Sequence, residues 1–494
     1  MANLNHKWLV YTRGTIPLHR IALFKALTTD AHKYYGEIFK TTFYINTGPK
    51  LWWSWDEKEM IAVGRFILEK TKDEKGKKRY FGLMDKVWMK AINVSEKIFR
   101  KDLKKLGNKD LIRFYDLLKI ETAPGMAFLS VDIDAVDFYP VEALRHMIKK
   151  ELPKMPENEF IIIYNKLTAP AHKSYINGQE ELILRAAKKL NKDKKLMQRF
   201  EKGDHSGIKE MKELMKKFWW TALGWENVRP NTEKSFAEII KEHLKDGNIG
   251  QKLKNLMGHV KNVKKERDGI IKKYNLSKEL QYRLRLFDEY ALWHDRRKEM
   301  QVKTLYAAHL LLCEAARRRD YDINDLEWLW HEEVQDILRG KELDKKEVER
   351  RKKGIAVLID GKEITQWSGD EAIKIKEKVA PEKTHDLTEI RGEPASSGIA
   401  KGIARVCAGA EEAMKKVKKG DILVCGMTLP DYVPAMKRAA AIVTDEGGIT
   451  CHAAIISREL GVPCITGTKI ATQAIKDGDL LEVNANEGII KIIK

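Results

Sequence analysis

The sequence has few cysteines and no long apolar run, and each shortage excludes a class of protein. Its 494 residues contain five cysteines and no Cys-x-x-Cys pair. A disulfide framework is therefore excluded, and a reducing cytoplasm fits best. No stretch approaches the roughly eighteen uninterrupted apolar residues of a membrane span. The first residues lack a basic segment followed by an apolar one, so we expect no secretory signal and a cytoplasmic protein.

Positive charge is in excess, and it is unevenly distributed. The formal net charge is +20 at pH 7, but residues 386–494 hold 14 basic and 14 acidic side chains. The first 385 residues therefore carry the whole excess, which attracts anions such as nucleotides, phosphorylated metabolites or nucleic acid. Because the lysines are interleaved with glutamates, we favour a solvated helical surface over a dedicated nucleic-acid site.

Residues 1–120 show a mixed pattern of strands and helices. The segment 41–56 predicts two short strands around a Thr-Gly-Pro-Lys turn. This segment contains three tryptophans: Trp52, Trp53 and Trp55. We favour a packed aromatic core for them over a ligand-stacking surface. Further on, the segment 94–106 predicts a helix that begins at a serine cap.

Residues 121–375 are predicted to be mainly helical, because apolar residues recur at three- and four-residue spacing. The pattern over 279–318 fits either one long helix or two packed helices. Within it, the run from Trp293 to Arg297 could line an anion site, but we favour an exposed helix face.

The pattern changes after residue 375. The stretch 376–402 combines charge with proline and glycine, and we predict a hinge linker over 376–391. From 392 to 494, short β-type runs alternate with short helices, as in one compact α/β domain. We therefore predict a multidomain α+β protein with four parts: a mixed α+β region (1–120), a mainly helical region (121–375), the hinge (376–391) and a C-terminal α/β domain (392–494).

One histidine of the C-terminal domain, His452, stands at the mouth of a helix predicted from about 451 to 460. Gly447 and Gly448 precede it; they can take backbone angles closed to other residues and leave room above the chain. The first N–H groups of a helix have no partner within it, so this end attracts anions. A neutral imidazole is a good nucleophile near pH 7 and can hold a phosphoryl group covalently.

Other side chains could assist this role or give it a different meaning. Thr450 could hydrogen-bond the ring or the phosphate, and Arg438 and Arg458 are candidate cations, although Arg458 does not share the helix face of His452. A histidine near a helix start is often only a cap or a surface residue. A zinc site at Cys451, His452 and Cys464 matches no standard ligand spacing, so we predict no metal site here.

The segment 428–468, TLPDYVPAMKRAAAIVTDEGGITCHAAIISRELGVPCITGT, closely resembles the mobile, or swivelling, phosphohistidine domain of PEP-utilising enzymes. That family includes phosphoenolpyruvate synthase, pyruvate phosphate dikinase and rifampicin phosphotransferase. Residues 392–406 are similar to the entry strand of this domain, and residues 477–492 are similar to its closing hairpin. The resemblance implies that His452 is phosphorylated during turnover. The motif that it implies around the histidine contains Gly447, Gly448, Thr450 and Cys451.

The resemblance also implies a domain that swings on the hinge between two active sites, with Mg²⁺ bound to the donor or the acceptor. In the family an ATP-grasp domain charges the histidine, and a PEP/pyruvate barrel or another domain discharges it. We recognise neither an ATP-grasp pattern nor a standard glycine-rich phosphate loop in residues 1–385, and 42 residues follow His452. We therefore predict one component of a split phosphotransferase. A separate ATP-grasp protein would supply the phosphoryl group from ATP or PEP, and residues 121–375 would bind a small-molecule acceptor or dock the partner.

Two alternatives stay open. The chain could act alone, as a phosphoenolpyruvate synthase-like or rifampicin phosphotransferase-like enzyme, through a divergent nucleotide site in its N-terminal body. It could instead be a non-catalytic regulatory or nucleic-acid-binding module. The complete Gly-Gly-x-Thr-x-His context argues against the second alternative, because a module without this chemistry has no need of the nucleophile.

Overall fold

The computed structural model describes residues 4, 6–14, 16–22, 34, 38–48, 50–225, 227–379, 387–428, 432–448 and 451–493. The chain divides into two compact units. We call Met1–Asn165 together with Lys303–Lys494 the large unit, and Lys166–Val302 the helical unit. The predicted domain borders at 120, 375 and 391 stay predictions.

Helices form most of the described structure before residue 354. The first group is Leu18–Ile21, Glu57–Lys70, Glu74–Phe99, Asn108–Leu117, Ala123–Phe138, Pro140–Glu151 and Glu157–Thr168. The second is Tyr175–Lys192, Lys194–Glu201, Lys209–Phe218, Glu233–Asp246, Ile249–Tyr274 and Lys278–Arg319. The third group before residue 354 is Ile323–Leu326, His331–Leu338 and Lys345–Lys353. After residue 354 the helices are Asp370–Val379, Ala410–Lys416, Val433–Met436, His452–Leu460 and Ala471–Ala474.

Two helix predictions can be decided from these bounds. The pattern over 279–318 forms one helix, Lys278–Arg319. The helix predicted over 94–106 is confirmed only up to Phe99, and its serine cap is wrong, because the helix there begins at Glu74, with Asp73 as its cap. Ser95 lies inside that helix, where its hydroxyl donates to the carbonyl of Ala91 at 3.1 Å.

The favoured exposed helix face for the run from Trp293 to Arg297 is also wrong. Trp293 is buried, and the four side chains after it are only half-exposed. Asp295 accepts the backbone N–H of Tyr175 at 3.1 Å, and His172 Nε2 lies 3.7 Å from its carboxylate. This part of the helix therefore packs inside the helical unit.

A five-stranded antiparallel sheet lies in the large unit. Its strands are β1 (Trp8–Gly14), β2 (Thr41–Thr47), β3 (Lys50–Asp56), β4 (Gly354–Asp360) and β5 (Glu363–Ser368), in the order β1-β3-β2-β4-β5. The strand pair predicted over 41–56 is confirmed as β2 and β3. β4 and β5 lie in the region predicted to be mainly helical and were missed.

The tryptophan-rich strand β3 is packed on both faces of this sheet. Trp52 is buried with Phe43 and Leu358 on one face. Trp53 and Trp55 point to the other face, with ring centroids 5.5 Å apart, and Trp55 is buried. The favoured aromatic core is therefore confirmed for Trp52 and Trp55.

The C-terminal residues form a second, eight-stranded sheet. Its strands are β6 (Glu389–Arg391), β7 (Glu393–Ser396), β8 (Ile399–Cys407), β9 (Ile422–Cys425), β10 (Ala441–Thr444), β11 (Cys464–Thr466), β12 (Leu480–Asn484) and β13 (Ile489–Ile493). The order is β6-β13-β12-β8-β9-β10-β11-β7. Strands β8 to β11 run parallel to one another, and the other pairs are antiparallel. The predicted α/β alternation is confirmed, with helices between the parallel strands.

The residues of β9 alternate between two cores, one on each side of this sheet. Leu423 and Cys425 pack with the helices Ala410–Lys416 and His452–Leu460. Ile422 and Val424 pack on the opposite side with Leu481 of β12. Because successive side chains of a strand point to opposite faces, a continuous apolar run is needed to fill both cores.

Two further features concern the whole described chain. Within its described part, none of the helices combines the length and apolar character that a bilayer-spanning segment requires. None of the five cysteines forms a disulfide. The cytoplasmic location stays a prediction.

Candidate active site

The candidate loop lies at the carboxyl ends of three parallel strands. Thr444, the last residue of β10, pairs with Cys425 at the end of β9, and Val443 pairs with Ile465 of β11. The chain then enters the loop that leads to the helix His452–Leu460, which we call the site helix. In open α/β sheets, ligands bind at this edge, beyond the carboxyl ends of the strands.

Only one of the two loop glycines, Gly447, has a backbone angle that favours glycine. Gly447 has φ +92°, and a Cβ built there would lie 2.6 Å from Cys451 Sγ. Gly448 has no such angle, and a Cβ there would meet nothing within 4 Å among the described residues. The expected special backbone angle is therefore found at Gly447 and not at Gly448. Room at Gly448 for the close approach of a ligand stays a prediction, because residues 449 and 450 lie outside the described part of the structure.

We expect Gly447→Ala to destabilise the protein and Gly448→Ala to leave its stability nearly unchanged. A left-handed backbone angle costs an alanine about 1–2 kcal/mol, and at Gly447 the clash with Cys451 adds to that. Urea unfolding of both variants measures the difference, with Gly448→Ala as the matched control. Equal midpoints for the two variants would contradict the geometry of this loop.

A buried carboxylate that the sequence analysis did not select fixes the start of the loop. Asp445 is 4% exposed and accepts hydrogen bonds from the Thr468 hydroxyl at 2.9 Å and from the Thr472 hydroxyl and backbone N–H. Burial raises the pKa of Asp445, and the threonine hydrogen bonds oppose this shift. The sequence signal for this residue was its place directly after β10.

Backbone hydrogen bonds join the same two loops. The carbonyls of Thr444 and Asp445 accept the N–H groups of Thr468, at 3.1 Å, and Lys469, at 2.9 Å. Gly467 also approaches the loop, since a Cβ built there would lie 3.0 Å from the carbonyl oxygen of Gly447. Asp445 is therefore a positioning residue, which holds the first part of the 445–451 segment on the loop after β11.

The site helix begins at His452, with Cys451 as its cap, and ends at Gly461 in the left-handed conformation. Its predicted range of about 451 to 460 is confirmed. The first N–H groups of a helix have no partner within it, so an anion site at this helix end stays a prediction. Thr450 and the side chain of His452 lie outside the described part of the structure, so their roles stay predictions.

The structure gives both candidate cations backbone partners. Arg438 donates from Nε to the carbonyl of Val417 and from Nη2 to that of Met414, both at 2.9 Å, at the end of the helix Ala410–Lys416. Arg458, in the last turn of the site helix, lies 3.5 Å from the carbonyl oxygen of Ala395. A phosphate contact by either arginine stays a prediction.

A third arginine, which the sequence analysis did not select, reaches the C-terminal sheet from the helix Pro140–Glu151. Arg145 Nη1 lies 3.0 and 2.9 Å from the two carboxylate oxygens of Glu393, at the start of β7. A cavity of about 590 Å³ opens beside this pair. Glu393 lies near Gly467, since a Cβ built there would be 4.0 Å from Glu393 Cγ. Residues far apart in sequence thus meet next to the candidate loop.

No group of three or more His, Cys, Asp or Glu side chains that could hold a metal ion occurs among the described residues. Mg²⁺ carried by a donor or acceptor stays a prediction.

Comparison with known proteins defines the class of this C-terminal region. Residues 417–488 match the family described as PEP-utilising enzyme, mobile domain. The site helix, the loop before it and strand β12 lie within this match, and β13 begins directly after it. The predicted resemblance is confirmed for this region.

Similar proteins carry the name phosphoenolpyruvate synthase. The chain is 53% identical over 122 residues to a probable phosphoenolpyruvate synthase of Archaeoglobus fulgidus, a match that covers 24% of this chain and 16% of that protein. It is 47% identical over 138 residues to the phosphoenolpyruvate synthase of Aeropyrum pernix, which covers 27% and 16%. The chain thus spans about a sixth of the length of these curated relatives.

A likeness to a solved structure is weaker. The crystal structure of aconitase X of Thermococcus kodakaraensis, in its holo-form, is 18% identical, with 22% of this chain and 98% of that chain covered. The TM-score of 0.18 is too low to support an argument about fold or function.

Proposed function

We propose that the protein is a phosphotransferase component that carries a phosphoryl group on His452. The observation that supports this most directly is the position of His452 within the matched mobile domain. It stands at the first turn of the site helix, beyond the carboxyl ends of β9, β10 and β11. His452 is thus a nucleophilic residue that lies both within the matched mobile domain and at a helix end that attracts anions.

The proposed cycle has two steps. In the first, a neutral ring nitrogen of His452 attacks the phosphorus of the donor; a P–N bond forms and the P–O bond to the leaving group breaks. The backbone N–H groups at the start of the site helix then balance charge on the bound phosphate. In the second step an acceptor oxygen attacks the phosphorus and the P–N bond breaks, which restores the imidazole.

The proposal also assigns the donor site to a separate protein and the acceptor or docking site to this chain. We infer that a separate ATP-grasp protein charges His452 from ATP or PEP, and that residues 121–375 bind a small-molecule acceptor or dock that partner. The lack of a standard phosphate loop in residues 1–385 supports this arrangement over a self-sufficient enzyme. Mg²⁺ would come with the donor or the acceptor and neutralise phosphate charge.

The experiment is phosphorylation of the purified chain. ATP labelled at the β or γ phosphate and labelled PEP are each offered with and without an extract of the source cells, and the readout is acid-labile, base-stable label on the protein. Label that needs the extract supports the split enzyme. Label from ATP without extract means a divergent nucleotide site in this chain. A folded protein that takes no label under any condition would overturn the proposal in favour of a non-catalytic module.

A further inference from the structure

The positive charge of the chain is concentrated in the helical unit. Residues 166–302 contain 32 Lys and Arg against 19 Asp and Glu, so this unit carries 13 of the 20 net charges in 137 residues. The described residues of the unit form helices and no strand. The charged side chains of this unit therefore lie on helices, and their spacing along each helix determines whether they share one face.

Four lysines form a stripe along the helix Ile249–Tyr274. They are Lys254, Lys261, Lys265 and Lys272, and all four are exposed. Their spacings of 7, 4 and 7 residues place them within about 40° of arc and spread them over about 27 Å of the helix axis. None of the four forms an ion pair with a carboxylate among the described residues. Of the two acidic residues in this helix, Glu266 pairs with Lys166. Asp268 is exposed at the edge of the stripe, between Lys265 and Lys272.

A second basic helix face adjoins the stripe. The helix Tyr175–Lys192 packs against Ile249–Tyr274 through a shared core that includes Leu190 and Leu253. On the surface the two helices meet where Arg185 Nη2 lies 3.8 Å from Met257 Sδ. After Arg185, the exposed residues of Tyr175–Lys192 are Lys188, Lys189, Asn191 and Lys192. The stripe therefore continues into a wider basic surface, without an exposed carboxylate in that part of the second helix.

In place of the solvated helical surface favoured from the sequence, we propose that this surface, the four-lysine stripe and the adjoining lysines, binds the sugar–phosphate backbone of a nucleic-acid duplex without reading its sequence. The chemistry of the surface favours this partner over an acidic protein. Protein interfaces have an apolar, aromatic-rich centre and are depleted in lysine, whereas here the side chains are lysines and the exposed large apolar residue is Met257. Flexible point charges in a row, without an exposed aromatic side chain among them, suit regularly spaced phosphates.

The test measures duplex affinity against salt. Fluorescent DNA and RNA duplexes of about 24 base pairs are titrated with the full chain between about 50 and 200 mM salt. The stripe variant replaces Lys254, Lys261, Lys265 and Lys272 by Gln. We expect at least about a tenfold loss of affinity, with the slope of log K against log salt lowered by about one per lysine. All sequences tried should weaken alike.

The control variant removes the same charge elsewhere. The helix Glu74–Phe99 has the same length, 26 residues, and its exposed lysines include Lys75, Lys78, Lys86 and Lys97. Replacement of these four by Gln should leave the affinity within about twofold of wild type.

Equal losses in both variants, or no duplex binding at about 50 mM salt, would overturn the proposal. Poly-glutamate that competes as well as a duplex would overturn it in favour of an acidic protein partner.

Discussion

Replacement of His452 by alanine is expected to lower the acid-labile label on the chain by at least about a thousandfold. A nucleophile that forms a covalent intermediate has no substitute, and loss of such a residue removes the step itself. Folding should be preserved, because His452 is the first residue of the site helix and alanine is a good helix former. The measurement is labelling under the condition that labels the wild type, with circular dichroism and a thermal midpoint beside it.

His146 provides a matched control for this variant. It is a histidine on another helix, Pro140–Glu151, and it is exposed. His146→Ala should keep the wild-type label, so that loss at His452 cannot be ascribed to the removal of any imidazole. Undiminished label in His452→Ala would show that another residue carries the phosphoryl group.

The elements of the C-terminal region could be predicted one by one from the sequence. Strands β9, β10 and β11 are short apolar runs, and turn residues separate each of them from the next helix. The site helix ends at Gly461 in the left-handed conformation that glycine favours, so its end could be predicted as well. These signals are local, because each lies within the element that it defines.

The first sheet could not be predicted in the same way. Its strand β2 pairs with β4, more than 300 residues later, and nothing local to either strand indicates the partner. A signal for the hairpin β4–β5 was present: Asp360-Gly361 stands between two apolar-rich runs, and Gly361 has φ +59°. It was overlooked because the neighbouring sequence is helical. The helix start at Asp73 was missed for a related reason, since a serine inside a helix has the same local appearance as a cap.

The candidate site shows the same limit. Position after a strand and before a helix made the 447–452 loop recognisable, but the support of that loop comes from elsewhere in the chain. Thr468 and Thr472 lie 23 and 27 residues after Asp445, and only the fold brings their hydroxyl groups to its carboxylate. The fold likewise determines which glycine adopts a left-handed backbone angle: Gly447 does and Gly448 does not.

Replacement of Asp445 by alanine is expected to destabilise the large unit by about 2–4 kcal/mol and to reduce the labelling of His452. The change removes the acceptor of the Thr472 hydroxyl and N–H. It also removes one of the two acceptors of the buried Thr468 hydroxyl, which keeps the carbonyl of Thr444 at 3.2 Å. It also frees the start of the 445–451 segment from the loop after β11. Urea unfolding and labelling measure the two effects.

Asp445→Asn is the control, since it keeps the size and one acceptor oxygen and should lose less stability. An alanine variant as stable and as well labelled as wild type would show that Asp445 does not position the loop.

The pH dependence of wild type and Asp445→Asn tests the cause of the Asp445 shift. Burial raises the pKa of Asp445 above the value of about 3.9 expected in the unfolded chain. The folded state therefore keeps this proton to higher pH than the unfolded state, and the associated stability is full below the unfolded pKa and lost as pH rises through the folded one. The amide of the Asp445→Asn variant cannot titrate, so the stability of wild type relative to this variant should decrease from about pH 4 to pH 7. Unfolding midpoints of both proteins at each pH give this difference directly. A difference that increases with pH would mean that the threonine hydrogen bonds to the carboxylate outweigh its burial, and that Asp445 holds the loop as an anion beside the phosphate.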